Sequence, residues 1–245
     1  MLALPAIEDP QSFVATRQAW HTMAEHVLAA ARYNAEGRIG LRAAPGGYST
    51  PPYERSGVVE ELRVAADELH VHRDGAEITH PLTTIAAAAN AVNIEPGAPA
   101  HVYTPYTSLE PAAPLTVDLR AAEILASWFA LGWSVLEELA GTARVNDAPP
   151  EITLWPEHFD AAVELGSADV GARGTFGVSP GDHEHLEPYL YVTHWAGVPT
   201  DLFWNDAAFA GASLGYGILR ASTDPSSAAL DFYRRGLAVL SAPRS

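Results

Sequence analysis

The stretch GDHEHLEPY, residues 181 to 189, sets His183 and His185 one residue apart among Asp182, Glu184 and Glu187, in a chain with ten histidines. If the segment is extended, the two imidazoles share a face. Imidazoles with carboxylates beside them suit zinc, nickel or non-haem iron by ligand type. The same residues suit general acid–base work without a metal, and they also suit a plain acidic turn whose histidines are solvated. A partner stretch is LWPEHFDAAVEL, 154 to 165. Read as a strand, its alternation puts His158 and Asp160 on one face and Trp155, Phe159, Ala161 and Val163 on the other. The candidate metal set is therefore His158, His183 and His185, with a divalent metal as candidate cofactor. The candidate catalytic set is His158 and His185 as general bases, with Asp160 orienting one of them. Tyr189, Tyr191 and Trp195 are the candidate substrate-positioning residues.

Other spacings that look chemical have simpler readings. GVSPG, 177 to 181, matches the nucleophile-elbow pattern, but that turn needs the backbone N–H of the residue after the serine. Here that residue is Pro180, which has none. His70 and His72 precede an Asp74-Gly75 turn, which sets His72 opposite Glu77 and His70 opposite Thr79 on a polar, solvated face. Arg17, His21 and Glu25 follow one another at i,i+4 and read as a surface ladder.

Composition narrows the chemistry further. The chain has no cysteine, and all 14 basic residues are arginine. Disulfides, thiolate ligands, cysteine nucleophiles and lysine Schiff bases are excluded. A formal charge of −16 repels phosphate backbones and anionic lipid, which argues against nucleic-acid and membrane partners. The N-terminus lacks a basic n-region and an apolar h-region. The most apolar stretch, LASWFALGWSVL (125 to 136), is too short to span a bilayer. The expected setting is the cytoplasm.

The elements that must position these groups can be read from periodicity. A helix is expected from about Val14 to Tyr33, ended by Gly37, then a strand in RIGLRA (38 to 43). The D-G hairpin follows, then a short helix over 83 to 92. A Pro-rich connection over 96 to 114 holds one short strand around His101 to Tyr103. A long, apolar helix from about Leu119 to Leu139 leads into strands at 152 to 165, 175 to 179, 188 to 195 and 212 to 219. The last helix starts at Asp224-Pro225. The class is α+β, mostly antiparallel sheet flanked by helices. It is expected as one globular domain with pseudo-halves 1–95 and 115–245, each reading helix, strands, helix.

The pieces GRIGLR, ELHVHRDG, LWPEHFDAAVEL, FGVSPGD, EPYLYV and GYGILRASTDPSSAALDFY, in this order, resemble a large, mostly actinobacterial family of proteins known only as a domain of unknown function. The resemblance implies the same architecture and marks the position of Asp160. It implies no reaction, and GGYSTPPY departs from the Trp-rich, His-bearing stretch the family has there.

Two functional readings follow. One is a soluble hydrolytic or acid–base enzyme acting on a small polar molecule, with or without a metal. The other is a non-catalytic module binding a small molecule or a protein through aromatic strand faces. A structural role in a homo-oligomer is the third.

Overall fold

The computed structural model describes residues 4–142, 151–169, 171–196 and 201–242. It is an α+β protein with two antiparallel sheets and helices, as the sequence predicts. The chain forms two compact units. The first is Ile7–Ala130 with Leu154–Phe159; the second is Met1–Ala6, Leu131–Thr153 and Asp160–Ser245.

The first unit opens on α1 (Pro10–Met23), runs through a π-helical segment (Ala24–Ala29) into α2 (Ala30–Glu36), and ends where Gly37 takes a left-handed φ of 72°. The start lies four residues ahead of the expected Val14. Asp9 caps it, accepting the N–H groups of Gln11 and Ser12, and Pro10 needs no partner at the first helical position. The sheet comprises β1 (Arg42–Ala44), β2 (Gly47–Ser49), β3 (Tyr53–Arg55), β4 (Val58–Ala65), β5 (Glu68–Arg73) and β6 (Ala76–Pro81). Its order is β1-β2-β4-β5-β6, with β3 also pairing β4.

The hairpin register is the expected one, His72 opposite Glu77 and His70 opposite Thr79. Asp74 and Gly75 have φ of 48° and 81°, the positive values a two-residue turn of this type needs. Gly47 is required for packing, because a Cβ there would meet Val64 O at 2.2 Å and Trp20 at 3.2 Å. Trp20 in turn donates to Ala66 O at 3.0 Å, and the Tyr48 hydroxyl donates to Trp20 O. The short helix α3 (Ile85–Val92) is capped by Thr84. The strand expected around His101 to Tyr103 is a turn instead, with Val102 N–H bonded to Pro99 O.

Helix α4 (Leu119–Ala140) is the long apolar helix, started by Asp118 accepting the Ala121 N–H. By length and composition it could cross a membrane, which the twelve-residue expectation understated. Yet 56% of its most apolar window is buried inside the protein, as in a core helix. It contributes to both units.

In the second unit, β8 (Asp160–Leu165), β9 (Gly174–Ser179), β10 (Tyr189–His194) and β11 (Gly211–Gly215) are successive antiparallel neighbours. They belong to a sheet of order β11-β10-β9-β8-β7, where β7 is Thr153–Trp155. The expected strand over 152 to 165 is thus two strands broken by a turn, at whose end Phe159 has a left-handed φ of 52°. The turn cancels the alternation: Phe159 and Asp160 are both buried, while His158 and Trp155 are exposed. The strand expected to reach Leu219 stops at Gly215, and Tyr216 begins helix α5 (Tyr216–Ala221). The last helix, α6 (Pro225–Leu240), starts at Asp224-Pro225 as expected.

One face of this sheet is apolar. Phe176 pairs with Val192 and Val178 with Leu190, and all four are fully buried. Helices cover that face closely: α4 at Gly132, where a Cβ would meet Val178 at 2.4 Å, and α6 at Gly236, where one would meet Val192 at 3.0 Å. Period-two alternation leaves Ser179, Gly177, Tyr189 and Tyr191 on the other face.

Candidate functional site

Strand register lines up the polar face of the second unit. Ser179 pairs with Tyr189, and Gly177 with both Tyr191 and Ala162, so Asp160, at the head of β8, lies beside the Ser179 end of β9. Tyr191 lies flat over Gly177, where a Cβ would sit 2.1 Å from its Cζ. Only glycine admits this. From there the Tyr191 hydroxyl donates to Asp160 Oδ2. Burial, and then the Asp160 charge, hold the hydroxyl far above its ordinary pKa, so Tyr191 stays protonated and a donor.

A second line of groups runs from β9 and β10 into the loop. The Ser179 hydroxyl bonds the Tyr189 oxygen, and the Tyr189 hydroxyl donates to Asp182 Oδ2 at 2.7 Å. Burial, with Asp182 next, pushes the Tyr189 pKa up as well. Asp182 Oδ1 accepts the N–H groups of Glu184 (2.7 Å) and His185 (2.8 Å), an Asx turn that shapes GDHEH locally. Burial works against ionisation of Asp182, but the Tyr189 hydroxyl and these two N–H groups outweigh it, and its pKa lies below the usual carboxylate range.

His185 sits between two aspartates. Its Nε2 is 3.0 Å from Asp206 Oδ2, and its Nδ1 is 3.7 Å from Asp182 Oδ1. The ring is tilted over Tyr189 at 4.4 Å and lies 6.1 Å from Phe209. The Asp206 side chain is only 3% exposed. Burial opposes its ionisation, yet Ser213, the Ala208 N–H and His185 together hold its pKa below the ordinary value. An ionised Asp206 accepts, so His185 Nε2 carries the hydrogen and Nδ1 is left as the acceptor in the neutral ring.

Of the residues singled out from sequence, Asp160, His185, Tyr189 and Tyr191 are thus assembled on one sheet face and its adjoining loop. Three others are not. His183, next to His185 in sequence, points into solvent with its side chain 71% exposed and pairs with Glu184. Trp195, just past the end of β10, is 58% exposed, with the Arg173 guanidinium 5.0 Å over its ring. His158 is exposed and belongs to the first unit. Among the described residues no group of three or more His, Asp or Glu side chains is arranged to hold a metal ion. Of the set His158, His183 and His185 expected from sequence, His183 and His185 are not brought together, because the Asx turn sends them to different surroundings. Asp206 and Ser213 were missed. Asp206 lies 21 residues from His185, and only a fold that turns β11 back beside β10 reveals it.

The elbow reading of Ser179 stays excluded. Ser179 ends β9, no helix follows, and its oxygen accepts the Gly181 N–H at 3.1 Å in a local turn.

The first unit carries a different polar cluster. Arg17, His21 and Glu25, expected as a surface ladder, are all buried. Segment 97 to 107 lies on them. Glu25 accepts the N–H groups of Tyr106 (2.9 Å) and Thr107 (2.7 Å) and the Thr107 hydroxyl (2.5 Å). His26 accepts the Ala98 N–H at Nδ1 and donates from Nε2 to Thr107 O. The π-helical turn supplies the geometry, since its extra residue per turn directs Glu25 and His26 together at one segment. His21 is stacked between Tyr106 (5.1 Å) and Phe159 (5.2 Å) and donates from Nε2 to Pro156 O at 2.8 Å. Burial drives its pKa down to about 3. It is neutral, and its 3.8 Å approach to Glu25 is no ion pair.

Compared with protein-family models, curated proteins and solved structures, the chain matches none.

Proposed function

We propose that the second unit carries an acid–base site for hydrolytic or related proton-transfer chemistry on a small polar molecule. The observation that carries this reading is the line Asp206, His185, Asp182: an imidazole fixed at Nε2 by a buried carboxylate, with Nδ1 facing a partly exposed one. A buried carboxylate that fixes a histidine tautomer is the arrangement by which proteins aim the other nitrogen at a proton to be moved. His185 is the proton carrier and Asp206 its orienting group. Asp182, 30% exposed, is where the proton enters and leaves. The 3.7 Å gap between Nδ1 and Oδ1 is longer than a hydrogen bond, and Nδ1 donates across it only after it has taken up a proton. Tyr189 and Tyr191 offer ring faces to a ligand, and their hydroxyls, kept protonated, hold Asp182 and Asp160 in place.

A second reading is favoured by one further observation. His185, Tyr189, Tyr191 and Phe209 form a cluster of rings with centroids 4.4 to 6.3 Å apart. Without turnover, this is the surface of a non-catalytic binding module. A cytoplasmic setting without nucleic-acid or membrane partners belongs to both readings, supported by the charge of −16 and the absence of cysteine. The resemblance to the uncharacterised actinobacterial family, which includes FGVSPGD and EPYLYV, adds no reaction to either.

The test is turnover of a panel of small esters, lactones and amides by the purified chain, with and without a chelator. Turnover of at least one member, unchanged by the chelator and reduced in Asp182→Asn, supports the enzyme. Turnover abolished by the chelator restores a metal-assisted mechanism, and no turnover at all leaves the binding module.

A further inference from the structure

Strand β6 ends the sheet of the first unit, and among the described residues no strand pairs with its outer edge. It is exposed along its length apart from a half-buried His80. The outer edge of β11, in the other sheet, is closed instead: the Asn205 side chain accepts the Ser213 N–H at 2.9 Å and donates to Ser213 O at 3.1 Å. The direction of the β6 backbone groups follows from its hairpin. A two-residue turn is closed by a hydrogen-bonded pair, here Arg73 and Ala76, and such pairs recur at every second residue. Val71 with Ile78 and Leu69 with His80 are therefore bonded pairs, and the Leu82 N–H on Asp67 O at 2.7 Å continues the same phase. Glu77 and Thr79 direct their N–H and C=O groups the other way, out of the sheet. Pro81, next in that set, has no N–H.

Side chains form rows across this sheet. Leu62, Val71 and Ile78 lie side by side on β4, β5 and β6. The first two are buried and Ile78 is 58% exposed, so an apolar row that starts in the core runs off the edge. On the opposite face Glu61, His72 and Glu77 form one row, and Arg63, His70 and Thr79 the next. The first row carries two carboxylates and the second a guanidinium.

We propose that the outer edge of β6 is a self-association surface, on which a second copy of the chain adds its own β6 antiparallel, with Ile78 on the twofold axis. Glu77 then faces Thr79 of the second copy and Thr79 faces its Glu77, so the outward N–H and C=O groups of both residues are paired. The two Ile78 side chains meet, and the apolar row continues into Val71 and Leu62 of the second copy. Each acidic row is prolonged by the arginine-bearing row of the other copy, the charge order that favours cross-strand pairing. Neighbouring registers lack this match. Centring on Glu77 opposes two carboxylates directly, and centring on Thr79 sets Glu77 against Pro81, which has no hydrogen to give. The surface uses no residue of the His185 site.

Because the chain has no cysteine, a single introduced thiol reports on the contact. Residues directly opposed in a non-hydrogen-bonded pair, as the two Ile78 would be, have Cα atoms about 4.5 Å apart, within reach of a disulfide. Under mild oxidation Ile78→Cys is expected to form a covalent dimer roughly tenfold faster or more than Ile218→Cys, a position of similar exposure on α5. Sedimentation equilibrium of the unaltered chain at physiological ionic strength is expected to show monomer and dimer in a concentration-dependent ratio. Thr79→Pro removes the outward N–H and leaves the β5 ladder intact, as an edge strand permits. Its dissociation constant is expected to rise about tenfold, for the two bonds lost across the axis. Ile78→Glu, which sets two carboxylates on the axis and leaves the backbone unaltered, is expected to weaken the dimer as well. Three results would overturn the proposal: an unaltered chain that stays monomeric at every concentration, equal oxidation of the two cysteine variants, or a dimer that neither Thr79→Pro nor Ile78→Glu weakens.

Discussion

His185 Nε2 lies 3.0 Å from Oδ2 of Asp206, a carboxylate whose side chain is almost wholly withdrawn from water. The bond ties the loop that follows β9 to the segment that precedes β11. It also fixes which imidazole nitrogen faces Asp182.

Asp206→Ala removes the acceptor for the His185 N–H, the Ala208 N–H and the Ser213 side chain together. Orphaned donors of this kind cost about 1–3 kcal/mol, more when the lost partner was charged. Urea unfolding of Asp206→Ala is expected to show a loss in that range, with the slope against urea unchanged.

Acid should weaken the second unit through two carboxylates. Asp182 and Asp206 both have pKa values lowered on folding. Their contribution is fully present above the unfolded value of about 3.9 and is lost as pH falls through the lower folded values. Stability measured from neutral pH downward should stay level with respect to these two groups and then fall steeply below about pH 4. In Asp182→Asn that acid limb should be shallower.

Gly177→Ala places a methyl group where the Tyr191 ring lies. The ring must move, and its bond to the buried Asp160 goes with it. Overpacking of this sort costs about 1–3 kcal/mol. Chemical denaturation should register that loss, together with a change in the near-UV signal of the tyrosines.

In the first unit, Glu25 is the acceptor that pins segment 97 to 107. Glu25→Ala leaves two N–H groups and a hydroxyl buried without an acceptor, a loss of about 3 kcal/mol or more. Amide hydrogen exchange should show protection lost at Tyr106 and Thr107 before it is lost in β4 and β5.

Much of this architecture is written locally. The Asp74-Gly75 turn fixes a register that extends from Arg73 opposite Ala76 to Glu68 opposite Pro81. The Asp-Pro pair that starts α6 also starts α1, where the apolar period alone put the first turn too late. What was not legible is what depends on distant chain. The 154 to 165 stretch keeps a strand's composition but breaks at a left-handed Phe159, so its alternation misassigned His158. The polar spacing of Arg17, His21 and Glu25 is that of a surface ladder, and only the chain 81 and 82 residues later that lies on Glu25 makes it interior. Asp160, His185, Tyr189 and Tyr191 could be named from their types and spacing. Asp206, which decides what His185 can do, carried no local signal.

Comparing turnover by wild type and by His185→Gln on the same small ester, lactone or amide, at equal folded concentration, tests the acid–base reading most directly. A proton carrier contributes roughly 10²- to 10⁴-fold, so the variant should lose a factor within that range while unfolding at a similar urea concentration. Equal turnover by the two proteins would contradict the account.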